Sequence, residues 1–104
     1  MQRVYGEFDI NVTNPEVNVV QIIKDKEIEL NLNDVPENFV LRKLGVKVSA
    51  ACEVEVNGRA FSINEKEPLE FAYDSIKVTS LVFKTPGITA VVRYMYFRED
   101  KVYQ

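Results

Sequence analysis

Two pairs of carboxylates are the first residues here whose type and spacing could do chemistry. Glu27 and Glu29 stand two apart, and so do Glu53 and Glu55. Two carboxylates flanking a cleft can hydrolyse a glycosidic bond, one as acid and one as base or nucleophile. Neighbours two apart on one strand instead share a face, and a charged outer face deters edge pairing. A solvated face is therefore the expectation for both pairs. Cys52 is the single cysteine, and the chain has no histidine. A thiol with no imidazole to activate it reads as a small buried hydrophobe rather than a nucleophile. The missing histidine also removes the commonest general base and the usual zinc ligand. Asn31, Asn33, Asp34, Glu37 and Asn38 gather hard oxygen donors around NDVPEN, residues 33–38. Their spacing matches no EF-hand and a Pro interrupts them, so a solvated loop of Asx turns is expected. No catalytic, cofactor-binding or metal-ligating residue is assigned, and an enzyme is not expected.

Tyrosine is the other chemistry on offer. Tyr5, Tyr73, Tyr94 and Tyr96 could stack on sugar rings, although Trp, the commoner platform, is absent. Tyr94 and Tyr96 alternate with Met95 and Phe97. That composition suits a binding or subunit surface, and equally suits core packing. Asn11-Val12-Thr13 matches a glycosylation acceptor, with no other sign of secretion.

The elements that must position these residues read as β-strands. The central one is CEVEVNGRAFSI, residues 52–63. Asn57-Gly58 tolerates the positive φ of a type I′ turn. A two-residue loop then sets Val56 against Arg59, Val54 against Phe61 and Cys52 against Ile63 on one face. Glu53, Glu55, Ala60 and Ser62 take the other, so turn chemistry and alternation agree.

Before this hairpin, Met1–Gly6 reads as a ragged start. Phe8, Ile10 and Val12 alternate with Glu7, Asp9 and Asn11 as a half-buried strand that Asn14-Pro15 ends. Val17–Ile23 is rich in β-branched residues and predicts a second strand. Glu27–Leu32 alternates cleanly, with Ile28, Leu30 and Leu32 inward and Glu27, Glu29 and Asn31 outward. Phe39–Leu44 suits a strand or a short helical turn, the strand being preferred, and Val46–Ala50 continues extended.

After the hairpin, Leu69, Phe71 and Tyr73 alternate with Glu70 and Ala72, and Asp74-Ser75 turns the chain. Ile76–Phe83 and Ile88–Phe97 are long apolar stretches joined by KTPG, residues 84–87. A four-residue loop would set Phe83 opposite Ile88, and both faces of that pair would be apolar. A bulge near Thr79-Ser80, a cover from the N-terminal segment or a neighbouring subunit would relieve this. The subunit is favoured, through an interface of Ile76, Val78, Val82, Val91, Met95, Tyr96 and Phe97 in a symmetric homo-oligomer. Arg98–Gln104 reads as a polar tail.

The whole is expected to be all-β: eight or nine short strands in an antiparallel β-sandwich, jelly-roll or Ig-like, with a closed barrel as the alternative. One domain over residues 1–104 suits the length, and 46% hydrophobic residues suffice for a core. The charge is −3, from 13 basic and 16 acidic residues that are interspersed, so no stripe for nucleic acid is present. A single cysteine forms no intrachain disulfide. No leader with a cleavage site is recognisable in residues 1–30, and no apolar run approaches ~20 residues, so neither a signal peptide nor a membrane segment is expected.

Residues 39–97 resemble the small accessory β-modules of tailed-bacteriophage virions. The pattern is FVLRKLGV, CEVEVNGRAFSI, a polar loop, LEFAYDSIKVTSLVF and a closing VVRYMYF. Gly45, Asn57-Gly58, the Glu70/Phe71/Tyr73 group and Arg93-Tyr94-Met95-Tyr96 carry it, and Ala50-Ala51 stands where such modules often have a Gly-containing turn. The resemblance implies a non-enzymatic structural protein, a capsid decoration or head/tail accessory subunit. Its partners would be other virion proteins, its oligomer a trimer and its location the virion. It carries over no catalytic residue and no cofactor. The alternative is a carbohydrate- or cell-surface-binding module resting on the tyrosines, with a host-surface glycan as ligand and, outside a virion, a cytoplasmic location.

Overall fold

Asn57 and Gly58 hold φ of 52° and 81°, the left-handed pair that a type I′ turn requires. They are seen in a computed structural model that describes residues 2–31, 35–72 and 76–98. In chain order, the described elements are β1 (Gln2–Val12), α1 (Val19–Asn31), β2 (Lys43–Val48), β3 (Cys52–Val56), β4 (Arg59–Ile63), β5 (Leu69–Phe71), β6 (Leu81–Phe83) and β7 (Ile88–Arg98). The turn sets β3 against β4 in the expected register, from Val56↔Arg59 to Cys52↔Ile63. Cys52, Val54, Val56 and Ile63 are buried, Phe61 is half-buried and Arg59, next to the turn, is exposed.

The seven described strands form two open antiparallel sheets, β1-β7-β2-β5 and β4-β3-β6. This is fewer than the eight or nine expected, and neither sheet closes into a barrel. The reduction has a local cause: α1 takes up most of the two strands expected at Val17–Ile23 and Glu27–Leu32, Leu32 itself lying outside the described residues. Asn18 caps that helix, its Oδ1 accepting the Val20 N–H at 3.0 Å. Val19, Val20, Ile23 and Glu27 then recur at helical spacing, and they are the buried positions. Glu27 was expected outward and is 4% exposed, whereas Ile28 and Leu30 were expected inward and are 42% and 67% exposed. Burying one helical stripe outweighs the β preference of the branched residues.

The second correction concerns β7. Instead of folding back onto β6, it lies between β1 and β2. β6 pairs with β3, through Val54↔Phe83, Glu55↔Val82 and Val56↔Leu81. Residues 84–87 therefore cross from one sheet to the other. The crossing is held by Lys84 N–H to Glu53 O and by Gly87 N–H to Val12 O, both at 2.8 Å. Residues 2–6, expected to be ragged, complete β1 and pair from Gln2↔Arg98 to Gly6↔Tyr94. Flanked on both edges, β7 is a central strand; Ile88, Ala90, Val92, Tyr94 and Tyr96 of its inner face are buried, while Thr89 and Arg93 of its outer face are exposed. Strand structure is also shorter than expected elsewhere: within 39–44 only Leu41 bridges, to Val78, before β2 begins at Lys43. Tyr73 and the turn at residues 74–75 lie outside the described residues.

These changes place the residues of the expected interface, Ile76, Val78, Val82, Val91, Met95, Tyr96 and Phe97, in different parts of the fold. Val78 and Tyr96 are fully buried in the main core cluster, and Ile76 packs against it. Val82 belongs to the second sheet. Val91, Met95 and Phe97 do share the outer face of the first sheet, but the chain covers two of them itself. Tyr5 and Lys43 flank Met95 in register. The Lys43 ammonium comes within 6.0 Å of the Tyr5 ring centroid, so the two side chains close over Met95, which is 0% exposed. The guanidiniums of Arg3 and Arg42 each approach the Phe97 ring to 5.6 Å. Met95 and Phe97 are thus covered by side chains of β1 and of residues 42–43.

Candidate functional site

Alternation along β7 sends Tyr94 and Tyr96 inward, where Glu27 meets them from α1. The Tyr96 hydroxyl donates to Glu27 Oε2 at 3.1 Å, and the Tyr94 hydroxyl makes a short bond to Oε1. Their rings stack with centroids 6.5 Å apart, and Phe39 tilts against Tyr96 at 4.8 Å. Gly6 makes the arrangement possible. It pairs with Tyr94, and a Cβ there would collide with Cζ and the hydroxyl of that ring. One residue before Glu27, the Lys26 ammonium donates to Glu7 O at 2.9 Å and sits 5.3 Å from the Phe8 ring. Helix and sheet are thus joined by a buried carboxylate bonded to two phenols, the form in which such a charge is tolerated inside. Burial raises the Tyr94 pKa, and its hydrogen bond to Glu27 and that residue's charge raise it further. The phenol remains a proton donor at neutral pH. This is a fastening between helix and sheet, with both hydroxyls turned to Glu27.

The outer face of the same sheet is open. Alternation places Tyr5 and Glu7 of β1, Lys43, Gly45 and Lys47 of β2, Glu70 of β5, and Val91 and Arg93 of β7 there. All of these but Glu7 border a groove of about 480 Å³ around Gly45. One cross-strand row reads Glu7, Arg93, Gly45, Glu70. Arg93 Nε lies 3.7 Å from Glu7 Oε2, and both side chains are more than half exposed. Tyr5 is 64% exposed at the groove's edge. Gly45 lowers the floor between the flanking lysines. Cations, a carboxylate and a phenol on an apolar base can hydrogen-bond and ion-pair with a polar partner. Tyr94 contributes to the lining, whereas Glu27 does not.

The other candidates separate. Glu27 and Glu29 take different sides of α1, one buried and one exposed. Glu53 is exposed, and Glu55 lies 3.9 Å from Lys84 Nζ. Neither borders the groove. Cys52 is buried, and burial raises its thiol pKa. Of the oxygen-rich loop, Asn33 and Asp34 lie outside the described residues, while Glu37 contributes its backbone carbonyl to Lys24 Nζ at 3.1 Å. Sequence reasoning missed the Glu27–Tyr94–Tyr96 cluster. Asn18 followed by apolar residues at 19, 20 and 23 was the available signal for a helix, and it places Glu27 on the buried stripe. No family model matches the chain, and neither a curated protein nor a solved structure does.

Proposed function

We propose that this protein is a non-enzymatic structural subunit of a phage virion, a capsid decoration or head/tail accessory protein acting by protein–protein assembly. In this reading the two sheets are the layers of a β-sandwich, one domain over residues 1–104, present in several copies as a homo-oligomer. The observation that carries the assembly role is the open outer face of the first sheet. There Tyr5, Lys47, Glu70 and Arg93 surround a groove over Gly45. Mixed charge around an exposed aromatic is the composition of a docking surface, with Tyr and Arg the side chains that most often dominate binding. Glu27, the buried carboxylate, is turned to two tyrosines in the interior and serves the frame. The virion setting rests on the resemblance over residues 39–97.

Genome context and particle composition test this together. The gene is expected among capsid or tail genes, and the chain in purified particles at many copies each. A metabolic operon around the gene, with no chain in the particles, refutes the virion reading. Loss of particle binding in Arg93→Glu, with folding intact, locates docking in the groove; unchanged binding moves it elsewhere. A second reading, glycan binding, keeps one observation, the exposure of Tyr5. Binding on a glycan array that disappears in Tyr5→Ala would favour it.

A further inference from the structure

Asn57 carries a chemistry separate from its turn. Its side-chain amide is one bond from a reaction with its own backbone. If the Gly58 nitrogen attacks Asn57 Cγ, an N–Cγ bond forms and the Cγ–Nδ2 bond breaks. The Gly58 amide proton is lost to solvent, and the side-chain nitrogen leaves as ammonia. Water then opens the resulting succinimide at either carbonyl, giving Asp or isoaspartate. Glycine as the next residue offers no side chain to obstruct the attack, and both Asn57 and Gly58 are exposed.

The fold fastens that amide to another segment. Asn57 Oδ1 accepts the Thr79 N–H at 2.9 Å, the Thr79 hydroxyl at 3.1 Å and the Ser80 N–H at 3.2 Å. Nδ2 donates to Lys77 O at 2.8 Å, and the Asn57 backbone N–H donates to Ser80 O at 3.0 Å. A carboxamide anchored on residues 77–80 cannot at the same time fold back over the Gly58 nitrogen. Asn18 grips the same segment from the helix side. Its Nδ2 donates to Thr79 O at 3.2 Å, and its Oδ1 accepts the Leu81 N–H at 3.1 Å.

We propose that Asn57 is a deamidation site gated by this clamp. While residues 77–80 are held, the reaction is blocked. When they release, Asn57 converts irreversibly, and neither product restores the full grip. Isoaspartate moves the former side-chain carbon into the main chain, which lengthens the two-residue loop and leaves no amide to reach Thr79. Asp loses the Nδ2 donor and sets an oxygen against Lys77 O. Across the population, the turn thereby accumulates a chemical record of the time this segment has spent open.

The test compares the intact chain with a synthetic peptide spanning Val54–Phe61 in one mildly alkaline buffer. Peptide mapping and isoaspartyl methyltransferase labelling give the rates. The folded chain is expected to react at least about tenfold more slowly, which corresponds to ~1.4 kcal/mol of local opening. The same chain unfolded in urea should match the peptide. Thr79→Val and Asn18→Ala, checked for folding by circular dichroism, should each raise the folded-state rate. Purified isoaspartate-containing chains should melt at a lower temperature than the parent. Equal rates in folded chain and peptide overturn the gating, and so do folded variants that leave the rate unchanged. No reaction in the urea-unfolded chain overturns the site itself, and an unchanged melting temperature of the product overturns the irreversible loss of grip.

Discussion

Replacing Glu27 by Leu should be among the most damaging single changes in this chain, and the damage should be reversible by removing more. Glu27 is 4% exposed and accepts from both Tyr94 and Tyr96. Leu keeps the helix propensity and fills much of the volume, so the backbone of α1 is not the target. The change leaves two buried hydroxyls without this acceptor, each costing about 1–3 kcal/mol. The added apolar surface returns roughly 1–2 kcal/mol. The net loss is then centred on ~2.5 kcal/mol, or roughly 10–20 °C in Tm for a domain of this size. The triple variant Glu27→Leu, Tyr94→Phe, Tyr96→Phe removes donors and acceptor together. It should recover most of the loss, because matched apolar replacement of a buried polar cluster is often neutral or better. Urea unfolding of wild type, single and triple variants measures both differences on one scale. If Glu27→Leu is neutral, or the triple variant is no more stable than the single one, the cluster is not the fastening described above.

Further expectations follow from the same geometry. The folded pKa of Tyr94 lies above its unfolded value, so its contribution is complete below the unfolded tyrosine pKa of ~10 and is lost as pH rises beyond it. Unfolding followed by circular dichroism should show wild type losing stability above that pH more steeply than Tyr94→Phe. Gly6→Ala should displace the Tyr94 ring and alter the near-ultraviolet tyrosine signal, with a loss of about 1–3 kcal/mol from overpacking. An unchanged signal would show that β1 yields instead. Gly58→Val meets no neighbouring atom but must adopt φ near 81°, so strain alone should cost roughly 1–3 kcal/mol in thermal melts. Cys52 should react with a thiol reagent only as fast as the chain opens; rapid labelling of the native protein contradicts its burial.

The parts of this fold that were legible beforehand are those that neighbouring residues decide between themselves. Asn57-Gly58 imposes a turn conformation, the turn imposes a register, and Cys52, Val54 and Val56 then share a face whatever else the chain does. Termination of the first strand near Pro15, the burial of Cys52 and the course of β7 from Ile88 were legible on the same local grounds. Tertiary structure decided the rest because the deciding contacts are distant in sequence. Residues 27–32 alternate like a strand, yet the opportunity to bury Val19, Val20, Ile23 and Glu27 on one stripe selects a helix and reverses the expected orientation of Glu27, Ile28 and Leu30. The KTPG segment reads as a hairpin loop, yet β7 gains two long partners, β1 and β2, by leaving β6 to pair with β3. Gly6 looks like part of a frayed end until Tyr94 is laid across it, and only that crossing brings both tyrosines to Glu27. A buried charge can be placed only where donors converge, and here they come from residues 67 and 69 positions further along the chain.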